Sequence, residues 1–336
     1  MLTTKTYHSF SDSLLQAREY LSRDLEEVNK LILSKLSQKV PLVNGMAGYL
    51  IQAGGKRLRP ILLLLTARMS LYRGTRHVKL AAAIEFIHTA TLLHDDVVDR
   101  SIQRRGRPSA NAIWGNQSCI LVGDFLLSRA FEFITDDGSL EIMQILSHMT
   151  ASVAEGEIMQ LGAIGNLMLE ERQYFQILES KTARFFEACC HIGALVANVS
   201  EREMDLVREY GQNFGMAFQI LDDLLDYDLS HGDETGKDVG RDFRERCVTL
   251  PLVLLLAKAS PSEKEEITNI FKETQLTEDH FEQVQKIMRR YNIEREVLAH
   301  AIPYVNRALS ALEGFPMSPE KDFLQGFISF TSSRKF

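Results

Sequence analysis

Residues 175–186 read FQILESKTARFF. Phe175, Leu178, Thr182, Phe185 and Phe186 recur at steps of three and four, the spacing of one face of an α-helix. Outward from this stretch, residues 109–250 contain no proline, so nothing there forces a helix to stop. No segment alternates apolar and polar residues long enough to argue for a strand. The same spacing predicts helices over 12–37, 41–53, 58–72, 78–100, 110–135, 139–164, 170–198, 203–229, 249–259, 263–274, 278–290, 293–312 and 319–331. Ser11 and Asp12 suit the start of the first, and Thr277 caps the helix at 278–290. Residues 81–93 and 214–225 are apolar round much of the helix, which puts them at a buried centre. No linker divides the chain. The expectation is an all-α fold, a single large helical bundle spanning 1–336, with one long charged loop at 230–247.

Composition narrows the function. The 336 residues carry 38 Lys plus Arg against 45 Asp plus Glu, and a net charge of −7 argues against a nucleic-acid partner. Cys119, Cys189, Cys190 and Cys247 have no paired spacing, which suits a reducing compartment and excludes a zinc ribbon. The longest apolar run, 248–257, is too short to span a bilayer, and residues 1–20 lack the order of a signal peptide. A cytoplasmic location without a transmembrane segment is expected.

One acidic pattern occurs twice. LLHDDVVD places Asp95, Asp96 and Asp99 after an apolar run, and ILDDLLDYD places Asp222, Asp223 and Asp226 likewise. In each, the first and last Asp are four apart and share a helix face. Carboxylates gathered on apolar helices repel and are costly to bury unpaired. A divalent cation resolves both problems, and oxygen-only ligands select Mg²⁺ or Mn²⁺. A single such motif reads equally well as an acidic helix end facing water; two copies on apolar helices do not.

Basic groups complete the pattern. GGKRLRP supplies Lys56, Arg57 and Arg59, and RRGRP supplies Arg104, Arg105 and Arg107. Arginine forks and lysine ammonium groups match phosphate oxygens, and Mg²⁺ bridges carboxylates to a diphosphate. His88 lies two turns before Asp95 on the same face, while Lys181, Thr182 and Gln219 are polar positions in apolar helices. A four-helix di-iron site needs two E-x-x-H motifs, and only Glu85 to His88 fits. That rival is excluded.

GGKRLRP, LLHDDVVDRSIQRRGRP, the SKTA at 180–183, FQILDDLLD and TGKDVG together resemble the all-trans polyprenyl diphosphate synthase family, most closely its bacterial octaprenyl-type members that make quinone side chains. The motif-bearing core is about residues 40–255. The resemblance implies an isoprenoid-synthase bundle, a homodimer and up to three Mg²⁺ ions. Asp95, Asp96 and Asp99 would hold two ions on an allylic diphosphate such as farnesyl diphosphate, and Asp222, beside Asp223 and Asp226, a third. Arg104, Lys181, Thr182, Gln219 and Lys237 would contact the allylic substrate. Lys56, Arg59, His88 and Arg105 would hold isopentenyl diphosphate.

Small residues at Ala90 and Thr91, with Ile87 a turn further, imply a long all-trans, octaprenyl-length product, handed on to membrane enzymes. Short-product members carry bulky aromatics there. A farnesyl- or geranylgeranyl-length synthase, a subunit of a heteromeric synthase and a terpene cyclase are the competing readings. One segment departs from the family pattern: Gly240-Arg241-Asp242 replaces G-D/N-D, and Cys247 stands where a diphosphate-binding lysine is usual. Arg244 and Arg246 are the sequence's candidates to replace that charge.

Overall fold

The computed structural model describes residues 10–36, 40–52, 55–104, 107–227 and 239–329. The first helices are α1 (Phe10–Tyr20), α2 (Ser22–Lys35), α3 (Pro41–Gln52), α4 (Leu58–Met69) and α5 (Arg76–Val98). The span expected as one helix over 12–37 is two, because Leu21 leaves the helical region (φ −93°, ψ 11°) and is itself fully buried. After α5 comes a hairpin the sequence did not signal, β1 (Gln103–Arg104) against β2 (Arg107–Pro108), with Arg104 opposite Arg107. Two residues per strand leave no alternation to read.

Helices α6 (Ala110–Trp114) and α7 (Asn116–Asp137) divide the span expected over 110–135. They meet at Gly115, whose φ of +80° is open to glycine without strain. Then follow α8 (Leu140–Ala163) and α9 (Glu171–Leu178), which runs through a wider π-turn at Glu179–Ala183 into α10 (Arg184–Val196). Such turns recur at functional sites. The chain continues through α11 (Glu201–Tyr227), α12 (Arg241–Arg244), α13 (Leu250–Lys258), α14 (Pro261–Lys272), α15 (Glu278–Arg290), α16 (Ile293–Glu313) and α17 (Pro319–Ser329). The four-residue α12 lies within the stretch expected as loop, of which 230–238 fall outside the described residues. Thr277 caps α15, its hydroxyl accepting the His280 N–H.

Two apolar clusters form the interior. One gathers α4, α5, α7, α10 and the first half of α11; the other gathers α9, the second half of α11 and α13–α16. Ile61, Leu62, Leu63, Leu64 and Leu65 are all fully buried in the first, each contributing about 1.5–3 kcal/mol of hydrophobic stabilisation. Helix α11 lies between α10 and α16, and α5 lies along α7. Two glycines allow the close approaches that position the π-turn. A Cβ at Gly156 of α8 would stand 2.7 Å from the Lys181 backbone nitrogen, and one at Gly215 of α11 would stand 2.7 Å from Ala183 Cα. Among the described residues, no helix is long and apolar enough to cross a membrane.

Candidate active site

The C-terminal half of α5, the end of α8, α9, the π-turn, the end of α11 and residues 239–249 surround a cleft of about 750 Å³. Along α5 it is bordered by Glu85, His88, Thr89, Leu92, Asp95 and Asp99, spaced at three and four so that they share one flank of the helix. Asp96 does not border the cleft. It is fully buried, and its Oδ1 accepts from Arg104 Nε (2.8 Å) and lies 2.7 Å from Arg104 Nη2. Its backbone carbonyl accepts from Asn111 Nδ2 (3.0 Å).

The second acidic motif faces the first from the end of α11. Asp222, Asp223 and Asp226 all border the cleft. Asp223 accepts from Tyr174 Oη (2.7 Å) and from Gln219 Nε2 (2.7 Å), while Gln219 accepts from Thr182 Oγ1 (3.1 Å). This chain ties the π-turn to the acidic motif. Asp226 accepts the N–H groups of Arg241 (3.1 Å) and Asp242 (2.8 Å), so α12 is anchored on it.

Cations border the same space. The Arg59 guanidinium lies 4.7 Å from the ring centres of both Phe185 and Phe186, and its Nη1 is 3.3 Å from His88 Nε2. The aromatic rings fix the fork by cation–π contact. Lys56 Nζ stands over Phe10 (5.2 Å) and Phe218 (5.8 Å), and Arg57 ion-pairs with Glu85 at 2.5 Å. Lys181 Nζ donates to Glu157 (2.9 Å) and to Gln160 Oε1 (2.9 Å).

Burial dominates the electrostatics of the acidic groups. Burial pushes Asp95 up to about 7, with the Glu157 carboxylate adding to the effect against Lys181. Burial likewise raises Asp223 to about 7, against its hydrogen bonds from Gln219 and Tyr174, and Asp226 to about 6, against those from the Asp242 and Arg241 backbone. Asp242 is pushed up by burial and then by Asp226 and Asp223. Burial pulls Lys181 down, but Glu157 and Asp95 outweigh it and hold the ammonium above its usual range. Hard oxygen donors of this kind fit Mg²⁺. Among the described residues, however, no three His, Cys, Asp or Glu side chains are grouped to hold an ion by themselves. An ion here would take its remaining oxygens from a ligand such as a diphosphate.

Of the residues singled out by sequence, Lys56, Arg59, His88, Asp95, Asp99, Arg104, Lys181, Thr182, Gln219, Asp222, Asp223 and Asp226 border one cleft. Asp96, Ile87, Ala90 and Thr91 do not; Ala90 is fully buried in the first apolar cluster. Arg105 and Lys237 lie outside the described residues. Sequence reading missed Glu157, Gln160 and Tyr174. Glu157 and Gln160, three apart beside Gly156, carried a usable signal; Tyr174 carried none. Of the candidates to replace the missing lysine, Arg244 is held by the Val239 carbonyl (2.8 Å), and Arg246 reaches the carbonyls of Phe271 and Glu273. Neither borders the cleft.

A helical bundle with two D-D-x-x-D faces turned on one cleft is the isoprenoid-synthase architecture, and the protein is a transferase of that class. More particularly, the sequence profile of the polyprenyl synthetase family matches residues 40–288, and the chain belongs to that family. It is 37% identical over 322 residues to the octaprenyl diphosphate synthase of Escherichia coli (strain K12), covering 96% of this chain and 99% of that one. Among solved structures it is similar to a decaprenyl diphosphate synthase from Rhodobacter capsulatus (TM-score 0.90, 40% identity, 96% of this chain and 99% of that one). It is also similar to a polyprenyl synthase from Caulobacter crescentus CB15 complexed with calcium and isoprenyl diphosphate (TM-score 0.89, 39% identity, 96% and 98% covered).

Proposed function

We propose that this enzyme elongates an allylic diphosphate, such as farnesyl diphosphate, with successive isopentenyl diphosphates to a long all-trans product of about octaprenyl length. The observation that carries this is the pair of acidic faces and the separate basic arm bordering one cleft. The octaprenyl and decaprenyl names of its relatives support a long product, and a chain of that length suits a quinone side chain.

Asp95, Asp99 and Asp222 are the residues that would hold Mg²⁺. Bound there, Mg²⁺ would supply charge neutralisation to a departing diphosphate, and the Caulobacter protein's complex with calcium and isoprenyl diphosphate supports a divalent ion working with such a substrate. Lys181 and Arg104 donate to diphosphate oxygens, strengthening as negative charge collects on the leaving group. Thr182 and Gln219 orient that end of the allylic substrate. Lys56, Arg59 and His88 grip isopentenyl diphosphate, with Arg59 preset between Phe185 and Phe186. Phe186 and Phe218 offer an apolar wall to the allylic cation, where water would quench it. The double bond of isopentenyl diphosphate attacks the cation, and the proton then lost passes to the released diphosphate.

The packing of α11 against both α10 and α16, in both apolar clusters, supports a single domain, and exposed Ile120, Leu121 and Phe131 of α7 support a second copy as partner. Four unpaired, buried cysteines support a cytoplasmic location. Incubation with farnesyl and isopentenyl diphosphates and Mg²⁺ should yield a long prenyl diphosphate, with chelator abolishing it. Cyclised hydrocarbon would point to a terpene cyclase, and no product from the purified chain alone would point to a heteromeric subunit.

A further inference from the structure

Resting on the prenyl-transfer reading, the inference concerns the cation missing from position 247. Cys247 borders the cleft, 3.7 Å from Gln160 Nε2, and burial together with the carboxylates of Asp242, Glu245 and Asp99 pushes its thiol up to about 12. It is neutral and supplies no charge to an anion. Arg244 and Arg246 are engaged elsewhere. Arg241 is engaged at the cleft itself: among described residues it is the one cation of the 239–249 segment that borders it.

Its placement is fixed from both motifs. The Arg241 N–H donates to Asp226 Oδ1 (3.1 Å), at the end of the second motif. Its guanidinium reaches the end of the first: Nε donates to Glu245 Oε1 (2.8 Å), Nη2 donates to Ser101 Oγ (2.7 Å), and Nη2 lies 3.9 Å from Asp99 Oδ2. The side chain is 31% exposed and borders the cleft together with Asp99 and Asp226. A guanidinium fork presents five N–H donors and suits bidentate capture of phosphate oxygens. The carboxylates that surround Cys247 and those that surround Arg241 overlap at Asp99 and Glu245. A cation at either position therefore acts on the same part of the cleft.

We propose that Arg241 is a diphosphate-binding residue of this cleft, delivering from position 241 the charge that Cys247 does not supply. The same residue ties the two motifs together before substrate arrives, its guanidinium near Asp99 and its backbone N–H on Asp226. A diphosphate at the mouth exchanges the Glu245 contact for its own oxygens.

The test is a charge transplant read by binding. Inorganic diphosphate is titrated calorimetrically, with Mg²⁺ present, into the wild-type protein, Arg241→Gln, and Arg241→Gln combined with Cys247→Lys. Arg241→Gln should weaken binding by about tenfold or more, the loss typical of one charge-assisted hydrogen bond. Adding Cys247→Lys should recover most of it. Ligand-free melting of the same variants reports the structural tie separately, and Cys247→Lys should leave that loss unrepaired. Unchanged diphosphate affinity in Arg241→Gln overturns the assignment, as does a loss that Cys247→Lys does not repair. Product formation by the wild type from farnesyl and isopentenyl diphosphates is scored alongside. A wild type that condenses while Arg241→Gln binds normally refutes the arginine's role alone; a wild type that condenses nothing refutes the reading beneath it.

Discussion

Arg104, carried on the hairpin, closes over the fully buried carboxylate of Asp96 with Nε and Nη2 at 2.8 and 2.7 Å from the same oxygen. The second Asp of the first motif is thus bound to protein while its neighbours Asp95 and Asp99 face the cleft. Removing Arg104 leaves an uncompensated buried charge, which costs about 3–5 kcal/mol. Arg104→Ala should lower the melting temperature markedly, and adding Asp96→Asn should recover part of it. Asp96→Asn alone should keep far more turnover than Asp95→Ala or Asp222→Ala. Loss of turnover in Asp96→Asn matching that in Asp95→Ala, with the fold intact, would place all three carboxylates on the substrate side.

The raised carboxyl of Asp95 makes stability depend on pH with a definite sign. In the fold the group holds its proton up to about 7, whereas in the unfolded chain it ionises near about 3.9. Its contribution is complete below the unfolded value and is lost as pH rises through about 7. Asp223 acts in the same direction. Metal-free protein should therefore melt lower at pH 8 than at pH 5.5, and Asp95→Asn should flatten the difference. Mg²⁺ with inorganic diphosphate should raise the melting temperature more at pH 8, where the carboxylates are free to bind. Calorimetric melts across that range settle it; a stabilisation larger at pH 5.5 would contradict the assigned carboxylates.

Lys56 and Arg59 provide a separate test of the two substrate ends. Each charge-assisted bond lost should cost roughly 1.5–3 kcal/mol of binding. In Lys56→Ala and Arg59→Ala, KM for isopentenyl diphosphate should rise much more than KM for the allylic substrate. Steady-state kinetics with each substrate varied in turn distinguishes them. Equal rises in both would move these residues away from the isopentenyl end.

Much of this arrangement was legible because helix periodicity is local. The four-residue spacing within each acidic motif is enough to aim Asp95 with Asp99, and His88 does lie on their flank. What sequence hid is what depends on a partner from elsewhere. Asp96 differs from Asp95 only through Arg104, which a two-residue strand brings back across it. Glu157 meets Lys181 only because Gly156 lets α8 approach the π-turn. The breaks at Leu21 and Gly115 come from a buried turn and a positive φ, neither of which interrupts the apolar spacing.

Product length depends on where the growing chain leaves the cleft along α5. An extended isoprene unit is about as long as three helical residues, each rising about 1.5 Å, so the first residues passed lie within two turns of Asp95. At about 100° per residue, Thr91 and Ile87 fall on the flank of Asp95 opposite to Leu92, and Ala90 lies further round. Leu92 and Thr89 border the cleft as it stands; Ala90 is fully buried behind them. A chain longer than the cleft must part α5 from a neighbour, and the small side chains at Ala90 and Thr91 are where least volume resists. Phenylalanine at 90 fills that path, at an overpacking cost of about 1–3 kcal/mol, which a melting curve will register without loss of the fold. Ala90→Phe should therefore shorten the product towards farnesyl or geranylgeranyl length while condensation continues, as sized by chromatography after dephosphorylation. A folded Ala90→Phe enzyme that still makes the long product would send the chain past Thr89 and Leu92 instead, and Thr89→Phe would then be the variant that shortens it.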